Sequence, residues 1–291
     1  MGHDITGPHH VGHLVHDLAD AVDRYRRLGF TLAPPAYPVL PGSTRPAGVA
    51  NAHAYFERGF LELVAFGRMP ADARPLPLDV PEDRVPAVAA ALEAVTASLV
   101  ARLRRFQGVH IVMLDSADLE VTAARLDADG VGHGGVQPIR RPVETPSGTR
   151  MDPARYLELT DLPEGRVGMA QNLSEAEAAG HPNGAVGLAE VVLCVEDGDV
   201  AATERRYATY LGGSPGLVRV VGASAFPELF PGEAPPGVPG FAAFAVEVAD
   251  PAATGRLLHA AGVPLGRTGE GDPFVPASEA LGVPITFRPA R

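Results

Sequence analysis

Four histidines fall within eight positions near the N-terminus, His9, His10, His13 and His16, in the string GPHHVGHLVHDLADAVDRYRRLGF. Imidazole is a common metal ligand and carries protons near neutral pH. The cluster therefore poses a metal site or a proton relay against an accident of composition. In a strand over 10–16, side chains alternate, so His10, Gly12, Leu14 and His16 share one face and His9, Val11 and His13 take the other. At most two of the four can enter one cavity at similar depth.

The elements that would position them follow from hydrophobic period. After the first strand, Leu18, Ala21, Val22, Tyr25 and Leu28 recur at helical spacing, and the helix closes at Gly29. FTLAPPAYPVL, VANAHAYFER and FLELVAF then read as three strands separated by Pro and Gly. Over 81–106, Val85, Val88, Leu92, Val95, Leu99, Leu103 and Phe106 mark one face of a long connecting helix, expected on the outside of a sheet.

A second strand–helix unit begins at GVHIVMLDSADLEVTAARLDADGV, 108–131, and GFAAFAVEVADPAATGRLLHAAGV, 240–263, repeats it without a gap. Asp118 and Asp250 stand at the same step before each helix. The opening stretch has a weaker echo over 188–213, where Asp197 answers Asp17 and Glu190 answers His10. The order A, B, A′, B′ implies two tandem halves of two modules, with a boundary near SEAEAAGHPNG.

With 291 residues, 46% of them hydrophobic, the chain can bury a large core. A formal charge of −11 argues against nucleic acid or an anionic membrane as partner. The single cysteine, Cys194 in VVLCV, excludes an internal disulfide and a cysteine zinc cluster and reads as a small buried hydrophobe. No leader with a basic start and apolar run is visible, and the longest apolar stretch is interrupted by Glu93. A cytoplasmic protein acting on a small molecule is expected, with a homodimer left open.

The strings HHVGHLVHDLADAVDRYRRLGF, GVANAHAYFERGFLELVAF and HPNGAVGLAEVVLCVED resemble the glyoxalase-like branch of the vicinal oxygen chelate superfamily. That resemblance implies an α+β fold of four βαβββ modules arranged as two paired-module curved sheets. Residues 1–175 would form one domain and 183–291 a degenerate second. It also implies metal ligands on the first and last strands of two modules, which here are His10, His110 and Glu62, with Gln171 fourth and Glu158 in RYLELTD as its competitor. Glu62 stands between Leu61 and Leu63, which should face the core, and so should face the cavity. Two imidazoles, a carboxylate and an amide suit one divalent Zn, Ni, Fe, Co or Mn ion. In the second half the counterparts of His110 and Gln171 are Ala242 and roughly Phe287, so a single functional cavity in 1–175 is expected.

The activity implied is that of a metal-dependent lyase or isomerase binding vicinal substrate oxygens, with Glu62 also available as general base. Two alternatives remain: an extradiol-type Fe(II) dioxygenase using His10, His110 and Glu62, and a metal-free binding protein of the antibiotic-resistance kind. Arg140 and Arg141, in an expected hairpin, could hold an anionic substrate, although a solvated edge is the plainer reading. His181 in HPNG belongs first to a turn.

Overall fold

Three aspartates set the frame. Asp17, Asp118 and Asp250 each sit in extended conformation before a helix and accept from two backbone N–H groups of its first turn, satisfying donors the helix itself leaves orphaned. Asp197 behaves differently: its carboxylate accepts from Ser224 N, and a 3-10 turn over Asp197–Asp199 leads into the helix instead.

The structure is a computed structural model that describes residues 4–67, 70–145, 148–172 and 180–290, without the side chains of 141–149. Module one comprises β1 (Ile5–Leu14), α1 (Leu18–Arg27), β2 (Ala36–Val39), β3 (Ala50–Tyr55) and β4 (Phe60–Ala65), followed by β5 (Arg74–Pro77) and the connecting helix α2 (Val85–Leu103). Module two holds β6 (Gly108–Ser116), α3 (Leu119–Ala128), β7 (Gln137–Thr145), β8 (Gly148–Glu158) and β9 (Arg166–Asn172). Module three is abbreviated to β10 (Ala185–Val195), α4 (Val200–Tyr210) and β11 (Val218–Gly222), then the short α5 (Phe226–Leu229). Module four has β12 (Gly240–Val248), α6 (Pro251–Ala260), β13 (Gly266–Arg267), β14 (Pro273–Val275) and β15 (Ile285–Pro289). The fold is α+β, with mixed sheets and few helices.

In each half the two first strands run antiparallel at the centre, β1 with β6 and β10 with β12. The last strand of each module lies parallel outside its first: β4 on β1, β9 on β6, β11 on β10 and β15 on β12. Among the described residues the halves meet in two bridges, Phe241 to Val109 and Arg58 to Gly187. A continuous core joins them: Val11, Val112, Leu126, Val191, Tyr207, Phe244 and Leu258 all belong to one buried cluster. Strand parity therefore gives the first half two faces. The outer one packs on α1 and α3; the inner one carries His10, Gly12, Leu14, Phe60, Glu62 and Val64.

α2 departs from its expected place. Leu99 and Leu103 pack on the inner face with Leu14, Val64, Ile111 and Met113, so the helix fills one end of that trough instead of lying outside the sheet. Hydrophobic burial on this scale is worth roughly 1.5–3 kcal/mol for each large side chain fully covered. Val95, on the same periodic face, stays 37% exposed. The stretch Glu82–Leu103, at a mean hydropathy of 1.4, is also long and apolar enough to cross a membrane by length and composition alone; Glu93 does not prevent this.

Candidate functional site on the inner face of the first half

The ladder between β1 and β6 defines which residues of the two modules are equivalent. His10 pairs with Met113 and Gly12 with Ile111, symmetrically about Val11 and Val112. His10 therefore corresponds to Ile111, and His110 corresponds to His9. Both His9 and His110 are skipped by the ladder, where the register shifts. β10 and β12 repeat the shift at Ala189 and Ala242. The bulge takes His110 off the ladder, so Ile111 stands at the position equivalent to His10.

His110 is fully buried. Its Nε2–H donates to Phe106 O at 2.8 Å and its ring lies 4.1 Å from that of Phe106, while Nδ1 is buried without a partner. Burial, together with the charges of Arg105 and Arg102, pushes its pKa down to about 4 despite the bond to Phe106 O. His13 is likewise interior: Nε2–H donates to Leu281 O at 2.9 Å, Nδ1 accepts from Tyr25 Oη at 2.8 Å, and burial brings its pKa to about 4.

The same register locates the last-strand positions. Glu62 on β4 lies beside Gly12, and on β9 Gly168 lies beside Met113, the equivalent of Gly12. The module-two position equivalent to Glu62 is therefore Gly168, which neither Gln171 nor Glu158 occupies. Gln171 is on the opposite parity, where Nε2 donates to Ala117 O at 3.0 Å and Oε1 faces Leu119 N at 3.5 Å, at the start of α3. Glu158 is on the inner face, but both its oxygens accept from Arg166 at 2.7 Å. A side chain at 168 is barred: an added Cβ would stand 2.3 Å from Leu157 O.

The structure thus keeps His10 and Glu62 on neighbouring strands of one face and does not bring His110 or Gln171 to them. Among the described residues no group of three or more His, Cys, Asp or Glu lies together in a way that could hold a metal ion. The donor set does not fit the four-ligand centre. In the second half, the corresponding positions are Glu190, Arg219, Ala243 and Thr286, so Thr286, not Phe287, answers Gly168. Arg288 bonds Glu190 and Asp272 there, at 3.1 and 2.9 Å.

What the inner face does assemble is a charged row. His53 on β3 pairs with Glu62, its Nε2 3.7 Å from Glu62 Oε1, and Asn51 Nδ2 donates to the same oxygen at 3.1 Å. Burial raises the Glu62 pKa, but the neighbouring His53, the Asn51 amide and the Arg166 charge outweigh it and hold the carboxyl below its ordinary range. Between Glu62 and Arg166 lie only Gly12 and Ile111. Gly12 is obligatory, since a Cβ there would approach Ile111 Cβ to 2.7 Å. At the open end, the His10 ring stacks on Phe60 at 4.4 Å, and His9 Nδ1 lies 2.7 Å from His10 Nδ1.

His53, Asn51 and Arg166 are site residues that sequence reading passed over. The signal for His53 was the hairpin ANAHAYFERGFLEL: counting back from its turn sets His53 opposite Glu62. Arg140 is exposed on the β7–β8 hairpin, its nearest acceptor Met151 O at 3.5 Å; the Arg141 side chain lies outside the described residues. His181 joins segments, accepting from Thr31 N at 3.0 Å and donating to Tyr55 O at 2.9 Å. Cys194 is buried, and burial pushes its thiol up to about 11.

Beside this row, between α2 and the end of β8 and start of β9, opens a cavity of about 920 Å³ lined by Arg102, Glu158 and Arg166 among others. Solved structures share the architecture. The Mn(II)-bound glyoxalase from Novosphingobium aromaticivorans superposes with a TM-score of 0.55 at 12% identity, covering 98% of this chain and 82% of that one. A mutant of 4-hydroxymandelate synthase from Streptomyces coelicolor gives 0.56 at 14%, covering 99% and 94%. The 2,3-dioxygenase LapB from Pseudomonas sp. KL28 gives 0.54 at 11%, covering 98% and 92%. At such identities the likeness is one of fold. No curated protein matches the chain by sequence. The family described as "Glyoxalase-like domain" matches residues 9–211, and the chain accordingly belongs to the glyoxalase-like family of the vicinal oxygen chelate fold.

Proposed function

We propose that the inner face of the first half binds a small organic molecule and acts on it without a resident transition metal, Glu62 being the group that takes its proton. The observation that carries this reading is the pair Ile111 and Gly168 at two of the four ligand positions, the second closed to any side chain by Leu157 O. A metal-dependent lyase or an iron dioxygenase would retain only His10 and Glu62 of its expected set.

The reaction class this supports is proton transfer next to a carbonyl, the step common to lyases and isomerases of such substrates. Glu62, held ionised, accepts the proton as the C–H bond breaks. The electron pair passes to the carbonyl oxygen, and Arg166, whose charge already acts on Glu62 across Gly12, offsets the negative charge that develops. Water exclusion comes from α2, which covers the apolar end of the trough with Leu99 and Leu103.

Two measurements test the reading. Elemental analysis of the purified protein should find no stoichiometric transition metal; one ion per chain, lost in Glu62→Gln, overturns it. In D₂O, proton NMR of a panel of small α-hydroxy and α-oxo carbonyl compounds should show exchange of the α-proton for at least one compound. That exchange should vanish in Glu62→Gln. A protein that binds such compounds with no exchange in any of them is a carrier using the same face.

A further inference from the structure

Arg102 enters the cavity from α2, and among the described residues its guanidinium makes no ion pair. No carboxylate lies within 4.0 Å of it among the described ion pairs. Its Nε is buried without a partner, and its Nη2 has only Leu162 O at 3.5 Å, too long to count as a good hydrogen bond. The carboxylates nearby bond to other residues. Glu158 gives both oxygens to Arg166; Glu164 accepts from Arg206 and Tyr207 through Oε1, leaving Oε2 buried without a partner. Arg105, one turn away, donates to Pro163 O and Pro239 O at 2.7 Å and adds further positive charge.

The guanidinium is half-buried, and its enclosed Nε is left without a hydrogen bond, which is unfavourable unless something satisfies it. Burial, with the charges of Arg105 and Arg166, depresses the Arg102 pKa, and Glu158 and Glu164 only partly offset this. An anion in the cavity would supply what the protein does not. The remaining lining selects its shape. Ala94, Val95, Leu159, Leu162 and Pro163 give an apolar wall, while Glu158 and Asp161 would repel a second negative charge.

We propose that this cavity binds a small organic monocarboxylate, its carboxylate on the Arg102 guanidinium and its apolar body along Ala94, Val95 and Leu159. The proposal extends the small-molecule reading of the first half but does not need the metal-free chemistry at Glu62, so either can fail alone.

Isothermal titration with hexanoate tests it, with acetate and inorganic phosphate as companions. Hexanoate should bind the parent protein, acetate more weakly for want of a body, and phosphate should not displace hexanoate. Losing a charge-assisted pair should weaken hexanoate about tenfold to a hundredfold in Arg102→Gln. Arg102→Lys should fall between, since an ammonium lacks the planar fork. Absence of hexanoate binding to the parent overturns the proposal. So does equal affinity in Arg102→Gln whose circular dichroism matches the parent, or displacement of hexanoate by phosphate.

Discussion

His9 and His110 are the same residue of the repeat: each is the position that the β1–β6 ladder skips, on opposite strands of one pseudo-twofold. Their counterparts in the second half, Ala189 and Ala242, are skipped in the same way. The bulge is therefore a property of the module and the histidine an addition to it. His110→Ala should leave any thermal shift by Mn²⁺ or Zn²⁺ unchanged, because Nε2 is spent on Phe106 O. It should lower stability by about 1–3 kcal/mol through the lost bond and stacking. Thermal melts with and without each ion decide; a shift present in the parent and absent in the variant would return His110 to the ligand set.

His13 and His110 make stability depend on pH. Both are held neutral in the fold, near pKa 4, against 6.5 for the free side chain. A depressed histidine favours the folded state fully above about 6.5, and that contribution is lost as pH falls toward 4. The melting temperature should therefore drop between these values, by the equivalent of at most about 3 kcal/mol for each group. His110→Leu should flatten the slope. A parent protein whose melting temperature is constant from pH 7 to about 4 would contradict the buried neutral histidines.

The repeat was legible in the sequence because capping is local: an aspartate before an apolar-periodic run is a signal carried by a few consecutive residues, and Asp17, Asp118 and Asp250 all cap. The site was only half legible. His10 and Glu62 share the inner face as their strand alternation required, but His110 was matched by residue type to a position that counting from Asp118 assigns to Ile111. A bulge leaves no mark in composition, so parity beyond it is lost. The truncation of module three to β10, α4 and β11 was equally silent, since its missing strands are simply not there to read. α2 was placed outside the sheet because an amphipathic face says that something is covered, not which of two sheet faces covers it.

The three capping aspartates offer an internal series. Asp17→Ala, Asp118→Ala and Asp250→Ala should each cost about 1 kcal/mol. Asp199→Ala, whose side chain makes no capping bond to α4, should change stability by less than about 0.5 kcal/mol. Urea denaturation of the four variants checks this; an equal loss at Asp199 would mean that the cost comes from charge and not from the cap.

The His53–Glu62 contact predicts that Glu62 owes part of its lowered pKa to this neighbour. Followed by carbon NMR of its carboxyl, Glu62 should titrate below the ordinary glutamate range in the parent. In His53→Ala its pKa should move upward, since burial then meets less opposition. The sign for stability follows: the contribution of Glu62 is present above the free glutamate value of 4.5 and lost as pH falls through its folded one. An unmoved Glu62 titration in His53→Ala would show that Asn51 and Arg166 alone hold the charge.

Gly168→Ala should destabilise the protein by about 1–3 kcal/mol, because its Cβ meets a backbone carbonyl that cannot rotate away. The same variant should not change the hexanoate affinity of the Arg102 cavity. A Gly168→Ala protein as stable as the parent would mean that β8 yields readily and that the fourth position is open after all.

The carbonyl of Leu157 over Gly168 also makes the two non-ligand positions, 111 and 168, unequal. Ile111 can become histidine by substitution alone, but a carboxylate at 168 needs β8 and β9 to part first, and their ladder holds them together. Building four ligands here one residue at a time would stall at position 168. With that position closed, chemistry on the inner face falls to a carboxylate, a guanidinium and a floor of glycine.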